Sequence, residues 1–393
     1  MSLLMAFSIV LIILAVGDII STKTKAFIPS VFVAALLFLI GFWTFFPEDI
    51  VSLAGFQTPI VYLSMYLLIT HMGTLLSVGE LAAQWKSVAV ALIGIVGVMA
   101  MTMTIGAAVF GFDAAVIATP PLTGGVVAAI IMNEAAAELG LEQLAVLAII
   151  TYVMQGFVGY PLTSWMLKKE GTRLIEGFRS GEIEFEEKED KNVEAGSNKL
   201  LPELPKKYQT TYVLLAKLGL TAWAAVAAGT FLEPYIGVSP FVYCLIFGVI
   251  ANAIGFVEKR PLNLSNSFGF LITILMAFIF AGLADATPTM LAELAVPLAG
   301  IIFFGVSGMA VLSMLLGKFL GYTKEMSFAT ALTALYGFPP NYILTEEGAK
   351  ALAKNEEEKK FLMSEMLPKM LVGGFTTVTI ASVIIAGIFV NFL

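Results

Sequence analysis

The sequence predicts an all-α polytopic membrane protein made of two inverted repeats, each with five transmembrane helices and one re-entrant hairpin. Of its 393 residues, 59% are hydrophobic and 13% are charged, whereas soluble domains are nearer 45–50% apolar and about 25% charged. Apolar stretches that approach the roughly 20 residues of a membrane span recur along the chain. Two of these stretches are interrupted by proline and glycine, and they occupy corresponding places in the two halves.

Six apolar segments form the first half. We predict a first repeat over residues 1–167, a partly disordered cytoplasmic linker over the charged stretch 168–208, and a second repeat over 209–393. The segments of the first half are 3–20, 27–46, 59–77, 87–110, the interrupted 113–139, and 141–167. Those of the second half are 209–231, 237–256, 264–284, 292–317, the interrupted 323–353, and 361–391.

The fifth segment of each half should contain a break in its helix. The first carries Thr119-Pro120-Pro121-Leu122-Thr123-Gly124-Gly125. Its prolines lack backbone donors and its glycines tolerate φ values that other residues avoid, so we expect this whole run to be non-helical. The second carries Tyr336-Gly337-Phe338-Pro339-Pro340-Asn341. Paired breaks at membrane depth are typical of the binding sites of secondary transporters.

Lysine and arginine positions predict the orientation in a cytoplasmic (inner) membrane. The loops 47–58, 111–113, 140–141, 232–238 and 285–292 contain neither residue, whereas the loops on the other side are rich in both. The positive-inside rule is satisfied if both termini lie outside, the central loop lies inside, and each interrupted segment enters and leaves on one face. A continuous crossing at 113–139 would place the basic linker on the wrong side.

Other classes of function are disfavoured. The net charge of −7 and the lack of a basic patch argue against nucleic-acid binding. The single cysteine, Cys244, excludes a disulfide framework. Neither phosphate-loop nor dinucleotide motifs nor paired metal-ligand spacings are present, so we expect no enzymatic activity. The first segment lacks a basic start and a clean cleavage site, which favours a retained helix over a signal peptide.

Part of the chain resembles a known family. Residues Asp113–Trp165 resemble the glutamate:sodium symporter family. The features that carry this resemblance are Phe110-Gly111-Phe112-Asp113, the glycine-bearing break, and the long helix with Gly156–Pro161. Gly321–Leu393 resembles the family's second half. The resemblance implies a sodium-coupled carrier of a small organic anion, with an amino acid such as glutamate favoured. We expect an elevator-type homodimer in a lipid bilayer.

The family's histidine after the first break is missing here and the second break is proline-rich, so glutamate does not follow from the resemblance alone. A di- or hydroxycarboxylate carrier remains the alternative, because related inverted-repeat carriers handle these anions. An ion channel, which would also use broken helices, is the other.

The candidate substrate-binding residues lie at the two breaks and on polar positions at membrane depth. No arginine lies in a predicted span, so an anion would bind to backbone N–H groups at the starts of half-helices. Glu134 and Gln155 are included because ionisable or strongly polar residues within the membrane are often functional. The set is Thr123, Gly124, Gly125, Glu134, Gln155, Tyr336, Gly337, Pro340 and Asn341.

A sodium ion, the expected coupling ion, needs several oxygen ligands. Carbonyls freed by the first break and nearby threonine hydroxyls could supply them. The alternative is that the threonines bond to their own helices. The lone histidine, His71, is either a proton relay or a packing residue. The candidate sodium ligands are Thr119, Pro120, Pro121 and Thr123, together with Thr376, Thr377 and Thr379.

Overall fold

The structure, a computed structural model, describes residues 1–75, 84–183, 200–202, 204–236 and 240–393. These residues are almost entirely helical, and no strand occurs among them. The helices of the first half are α1 (Leu3–Lys23), α2 (Ser30–Thr44), α3 (Ile50–Leu53), α4 (Thr58–Gly73), α5 (Trp85–Met101), α6 (Ala107–Phe110), α7 (Phe112–Thr123), α8 (Val126–Glu138) and α9 (Glu142–Ser180).

The second half has a similar succession of long helices and one break. Its helices are α10 (Thr211–Ile236), α11 (Pro240–Ala253), α12 (Pro261–Leu264), α13 (Phe268–Ala281), α14 (Pro288–Phe319), α15 (Lys324–Leu332), α16 (Pro340–Leu352), α17 (Glu356–Phe375) and α18 (Ser382–Phe389). A 3₁₀ turn over Thr333–Leu335 follows α15.

Six helical stretches in the described part of the chain are long and apolar enough to cross a membrane. This confirms the prediction of a polytopic helical membrane protein. Two shorter apolar helices, Ser30–Thr44 and Pro240–Ala253, add to them. The six stretches are Leu3–Lys23, Trp85–Phe110, Glu142–Ser180, Thr211–Leu232, Phe268–Asp285 and Pro288–Phe319.

The chain forms two compact units. The first combines residues 1–54, 84–183 and 279–393, and it contains both breaks. The second falls within residues 55–83 and 184–278 and contains α4, α10, α11 and α12. Each unit draws on both halves of the sequence, because compact units follow packing and not chain order. The repeat boundaries at 167 and 209 therefore stay a prediction.

The first break is shorter than the sequence predicts. Helix α7 runs through Pro120 and Pro121 to Thr123, and the backbone leaves the helix only at Gly124 and Gly125, with φ of 133° and 86°. The prediction that the prolines interrupt the helix is wrong. A proline keeps a helical φ, so the helix can continue, although the carbonyls of Val116 and Ile117 lose their usual N–H donors.

Two π-helical segments, which the sequence analysis does not predict, flank the breaks along the chain. Thr102–Gly106 lies between α5 and α6, and Thr376–Ala381 lies between α17 and α18. A π segment widens the helix by one residue per turn and changes the carbonyl register, and such segments are frequent at functional sites. Both belong to the first compact unit.

Helix α9 is longer than its predicted span. It has 39 residues, or about 58 Å at 1.5 Å per residue, against a hydrocarbon core of about 30 Å. Residues 168–180, predicted to belong to a partly disordered linker, continue the helix because Leu174 and Ile175 are buried. The acidic part of the linker, 184–199, lies outside the described residues.

The last turns of α9 are bonded to both ends of the second broken element. Thr323 Oγ1, at the start of α15, donates a 2.7 Å hydrogen bond to Glu170 Oε2. Arg179 donates to both carboxylate oxygens of Glu358, at 2.8 and 2.7 Å, and to the carbonyl of Leu352 at 3.2 Å. We call Glu170, Thr323, Arg179, Leu352 and Glu358 the clamp. The Arg179 guanidinium holds the pKa of Glu358 at about 2.

The clamp predicts a pH dependence of stability. Because the folded pKa of Glu358 lies below the unfolded value of about 4.3, the stabilisation is complete above that value and is lost as the pH falls towards 2. We expect the melting temperature of the wild type to fall over this range more steeply than that of Glu358→Gln. The matched control is Glu356→Gln, in the same first turn but exposed, which should follow the wild type. Equal slopes for all three proteins would contradict the prediction.

Candidate functional site

The two breaks meet within the first compact unit. A Cβ placed on Gly124 would lie 3.1 Å from the carbonyl oxygen of Ala334 and 3.3 Å from that of Thr377. A Cβ on Gly125 would lie 2.8 Å from the carbonyl oxygen of Val378. The first break is therefore in backbone contact with the 3₁₀ turn of the second broken element and with the second π segment. We call these five residues the junction.

Asn341 lies in the first turn of α16, just after the second break. It is completely buried, and its Nδ2 donates a 3.1 Å hydrogen bond to the carbonyl of Met370. Its Oδ1 is also buried but has no protein partner. Gly374 makes this position possible, since a Cβ there would lie 2.7 Å from Asn341 Nδ2.

Gln155 presents a second buried amide without partners. The residue is 1% exposed, and neither its Oε1 nor its Nε2 has a protein hydrogen bond. It lies on α9 one turn before Gly159, where a Cβ would lie 3.1 Å from Leu335 and 2.9 Å from the ring of Tyr336. A buried polar atom without a partner costs roughly 1–3 kcal/mol, so each of these two amides favours a polar partner in its own surroundings.

The threonines bond mainly to their own helices, as the alternative interpretation predicts. Thr119 Oγ1 donates to the carbonyl of Ala115 at 2.6 Å. It also lies 2.7 Å from the hydroxyl of Thr102, in the first π segment. Thr123 donates to Pro120, Thr376 to Val372 and Thr377 to Gly373 through their Oγ1 atoms. The side chain of Thr379 lies outside the described part of the chain.

Two carbonyls of the first break already accept hydrogen bonds from neighbouring residues. Pro120 O receives the hydroxyl of Thr123 at 2.8 Å, and Pro121 O receives the N–H of Gly124 at 3.2 Å. The oxygens that lie against the glycines belong to Ala334, Thr377 and Val378. Thr377 O also accepts a bond from the N–H of Ser382, and Val378 O accepts one from the Ser382 hydroxyl at 3.0 Å. The sequence could not indicate these, because they come from the other half of the chain.

Three further predicted residues have different surroundings. Glu134 is exposed on α8, so its carboxylate does not line the junction. Pro340 is the buried first residue of α16. His71 belongs to the second unit, where it is buried and its Nδ1 accepts a 3.3 Å bond from the N–H of Leu262. This environment supports the packing interpretation of His71.

Sequence analysis does not identify an aromatic cavity beside the second break. It is lined by Tyr152, Phe157, Tyr160, Phe280 and Tyr336, among others. The hydroxyl of Tyr336, a predicted substrate contact, donates to Thr163 Oγ1 at 2.8 Å. The spacing Tyr152-Gly156-Tyr160 on α9 was the available signal, since residues four apart share a helix face.

The fold and its spans define a polytopic helical membrane protein. No family model and no curated protein matches the chain. Among solved structures, it is similar to the sodium proton antiporter MjNhaP1 from Methanocaldococcus jannaschii, determined at pH 8. The identity is 15%, the TM-score is 0.44, and the alignment covers 100% of this chain and 99% of that chain.

This comparison contradicts the family resemblance drawn from the sequence. The similar structure is an antiporter and not a glutamate:sodium symporter. The predictions of glutamate or amino-acid symport, of a small organic anion as substrate, of an elevator-type architecture and of re-entrant hairpins are therefore wrong. The carboxylate carrier and the channel do not fit either.

The structure gives physical reasons for this error. The groups nearest Gly124 and Gly125, where an anion was expected to bind, are backbone carbonyl oxygens, which repel a carboxylate. Gly111, part of the quoted motif, has a φ of 94° in the turn between α6 and α7, which is a local requirement and not a family signature. Gly156 makes room for the ring of Tyr160, 2.9 Å from where its Cβ would be.

The unpaired amide of Gln155 predicts an unusual mutational effect. Gln155→Leu removes two unsatisfied polar atoms at similar volume. We therefore expect the free energy of unfolding to rise by on the order of 1–3 kcal/mol in buffer without added ligand, which a higher melting temperature would report. Asn133→Leu is the matched control, because the Asn133 amide donates a 2.9 Å bond to Ala145 and its loss should destabilise. A destabilised Gln155→Leu protein would show that this amide is satisfied in the folded state.

Proposed function

We propose that the chain is a secondary transporter that binds a small monovalent cation at the junction, with Na⁺ as the first candidate. The observation that carries the proposal is the chemistry of this place. All five junction residues are uncharged, and three carbonyl oxygens lie against the two glycines. Carbonyl oxygens of unwound helices are the ligands that transporters offer to alkali cations.

Helix ends of both kinds lie at the junction, and they favour charges of opposite sign. The half-helix α8 begins there, and its N-terminal dipole would favour a negative charge. Helix α7 and the 3₁₀ turn end there, and their carbonyl ends favour a positive charge. The oxygens of Ala334, Thr377 and Val378 lie within 3.3 Å of the glycine Cβ positions, so the nearest groups support a cation.

The two unpaired amides support a ligand that changes the local hydrogen bonding. Asn341 Oδ1 is an acceptor without a donor, and a cation would satisfy it without needing a proton. Gln155 Oε1, on α9, is a second buried acceptor without a donor. A binding step that relieves unsatisfied groups stabilises the loaded state relative to the empty one, as a carrier requires.

Sodium transport by purified protein in vesicles tests the proposal. We expect uptake of radioactive sodium that saturates and shows counterflow, and a melting temperature that rises with NaCl but not with N-methylglucamine chloride, since a ligand stabilises the state that binds it. Flux linear in concentration, or no uptake together with no sodium-dependent stabilisation, would contradict the proposal.

Gly125→Ala tests directly whether the ion binds at the first break. A methyl group there meets the carbonyl of Val378 at 2.8 Å, so we expect sodium uptake to fall about tenfold or more, the effect of roughly 1.4 kcal/mol in ion affinity. Gly111→Ala is the matched control, because Gly111 also has a positive φ, 94° against 86°, but no atom lies within 4 Å of its Cβ position. Equal uptake by the two variants would place the ion away from the first break.

We also propose the orientation predicted from the basic residues, with both termini outside. In a Cys244→Ala background, Asp49→Cys should react with an impermeant maleimide added to intact cells, whereas Glu182→Cys should react only after permeabilisation. The reason is the absence of lysine and arginine from the loop 47–58 and their abundance after residue 167. Direct labelling of Glu182→Cys would overturn this orientation. The homodimer stays a prediction.

A further inference from the structure

A group of lysine and aromatic side chains lies where α9 passes residue 167, the end of its predicted span. Trp165 lies in the last turn of that span, and Lys168 and Lys169 begin the part of α9 beyond it. Lys25 and Phe27 come from the turn between α1 and α2. We call these five residues the basic patch. All of them belong to the first compact unit, and the two rings are largely exposed, Phe27 at 74% and Trp165 at 52%.

Helix α9 holds the turn between α1 and α2 in place. Ser164 Oγ donates a 2.6 Å hydrogen bond to the carbonyl of Ala26, and Lys168 Nζ donates one of 2.7 Å to the carbonyl of Lys25. Lys25 and Ala26 have φ values of 53° and 54°. Residues with a side chain keep this left-handed conformation only where the surrounding structure imposes it. The geometry of the basic patch is therefore fixed by the packing of the turn on α9.

Three positive charges lie together in the basic patch. Lys25 and Lys168 are close enough for their charges to repel each other. One position further along α9, the Lys169 Nζ lies 4.1 Å from the centroid of the Trp165 ring. In the part of the chain that the structure describes, none of these lysines forms an ion pair with a carboxylate. The basic patch therefore offers an anion three ammonium groups without a carboxylate partner among the described residues.

The exposed rings favour a lipid over a soluble anion. Tryptophan side chains concentrate at the membrane–water interface, and lysines at this level attract anionic lipid headgroups. A free phosphate ion would use the lysines but would gain nothing from two exposed rings. We propose that the basic patch binds the phosphate of an anionic phospholipid, with Phe27 and Trp165 against its glycerol and upper acyl chains. This goes beyond the proposed function, because the lipid is a bound partner and not a transported ion.

Native mass spectrometry of the full chain in detergent measures the affinity of the first bound lipid. The probes are phosphatidylglycerol and phosphatidylcholine with identical acyl chains, since both carry a phosphate but only phosphatidylglycerol has a net negative charge. We expect phosphatidylglycerol to bind at least about tenfold more tightly, because each lysine near an anionic lipid contributes about fivefold in affinity. Equal affinities for the two lipids would overturn the proposal. The measurement needs neither sodium nor transport, so its outcome is independent of the proposed function.

The double variant Lys25→Gln/Lys169→Gln locates the lipid. It leaves the turn in place, because Lys168 makes the bond to the carbonyl of residue 25, which glutamine retains. We expect its affinity for phosphatidylglycerol to fall at least about tenfold at an unchanged melting temperature. The matched control is Lys318→Gln/Lys324→Gln, which removes two exposed lysines from the ends of α14 and α15. An equal loss in both double variants would show diffuse attraction to any lysine and would overturn the site.

A soluble headgroup separates a lipid site from a phosphate site. Glycerol phosphate carries the charged group without acyl chains, so we expect that a large excess of it does not displace phosphatidylglycerol. Displacement would identify a site for soluble phosphate esters and would overturn the proposal. If the double variant does not fold, Lys25→Gln alone replaces it, with Lys318→Gln as its control and a loss of about fivefold as the expected result. Unchanged affinity in the folded Lys25→Gln protein would also overturn the site.

Discussion

The structure depends on one constraint: buried backbone that leaves the helix must find its polar partners within the protein. This chain meets the constraint by bringing its two breaks together. The first break lies against the carbonyls of Ala334, Thr377 and Val378, which come from the other half of the sequence. Each break packs against backbone from the other half of the chain, so the conformation of each depends on the other.

The close approach depends on residues that lack side chains. Gly124 and Gly125 bring backbone to backbone contact, and their positive φ values turn the chain at the same point. Gly374, by lacking a side chain, leaves room for the Asn341 amide. The π segment 376–381 then presents carbonyls of Thr377 and Val378 towards the first break. The glycines, the π segment and the break together allow the two halves to approach this closely. A larger side chain at the glycines would push the two breaks apart.

The sequence was sufficient for the helical membrane class and for the positions of both glycine breaks. Composition and φ tolerance are local properties, and the structure places Gly124, Gly125 and Gly337 outside helices as they require. It was insufficient for what depends on packing. The prolines stay helical, Glu134 faces outwards, and the aromatic cavity needs the end of α13 as well as α9. The family resemblance failed because glycine turns and segment lengths recur in many helical carriers.

The clamp connects the end of α9 to both ends of the second broken element. The helix is long enough to emerge from the bilayer, and its last turns bond to Thr323 before the second broken element and to Leu352 and Glu358 after it. A partner protein, antibody fragment or synthetic ligand that binds the end of α9 would therefore fix both ends of the second broken element. Under the proposed function, such a ligand would block transport without entering the membrane.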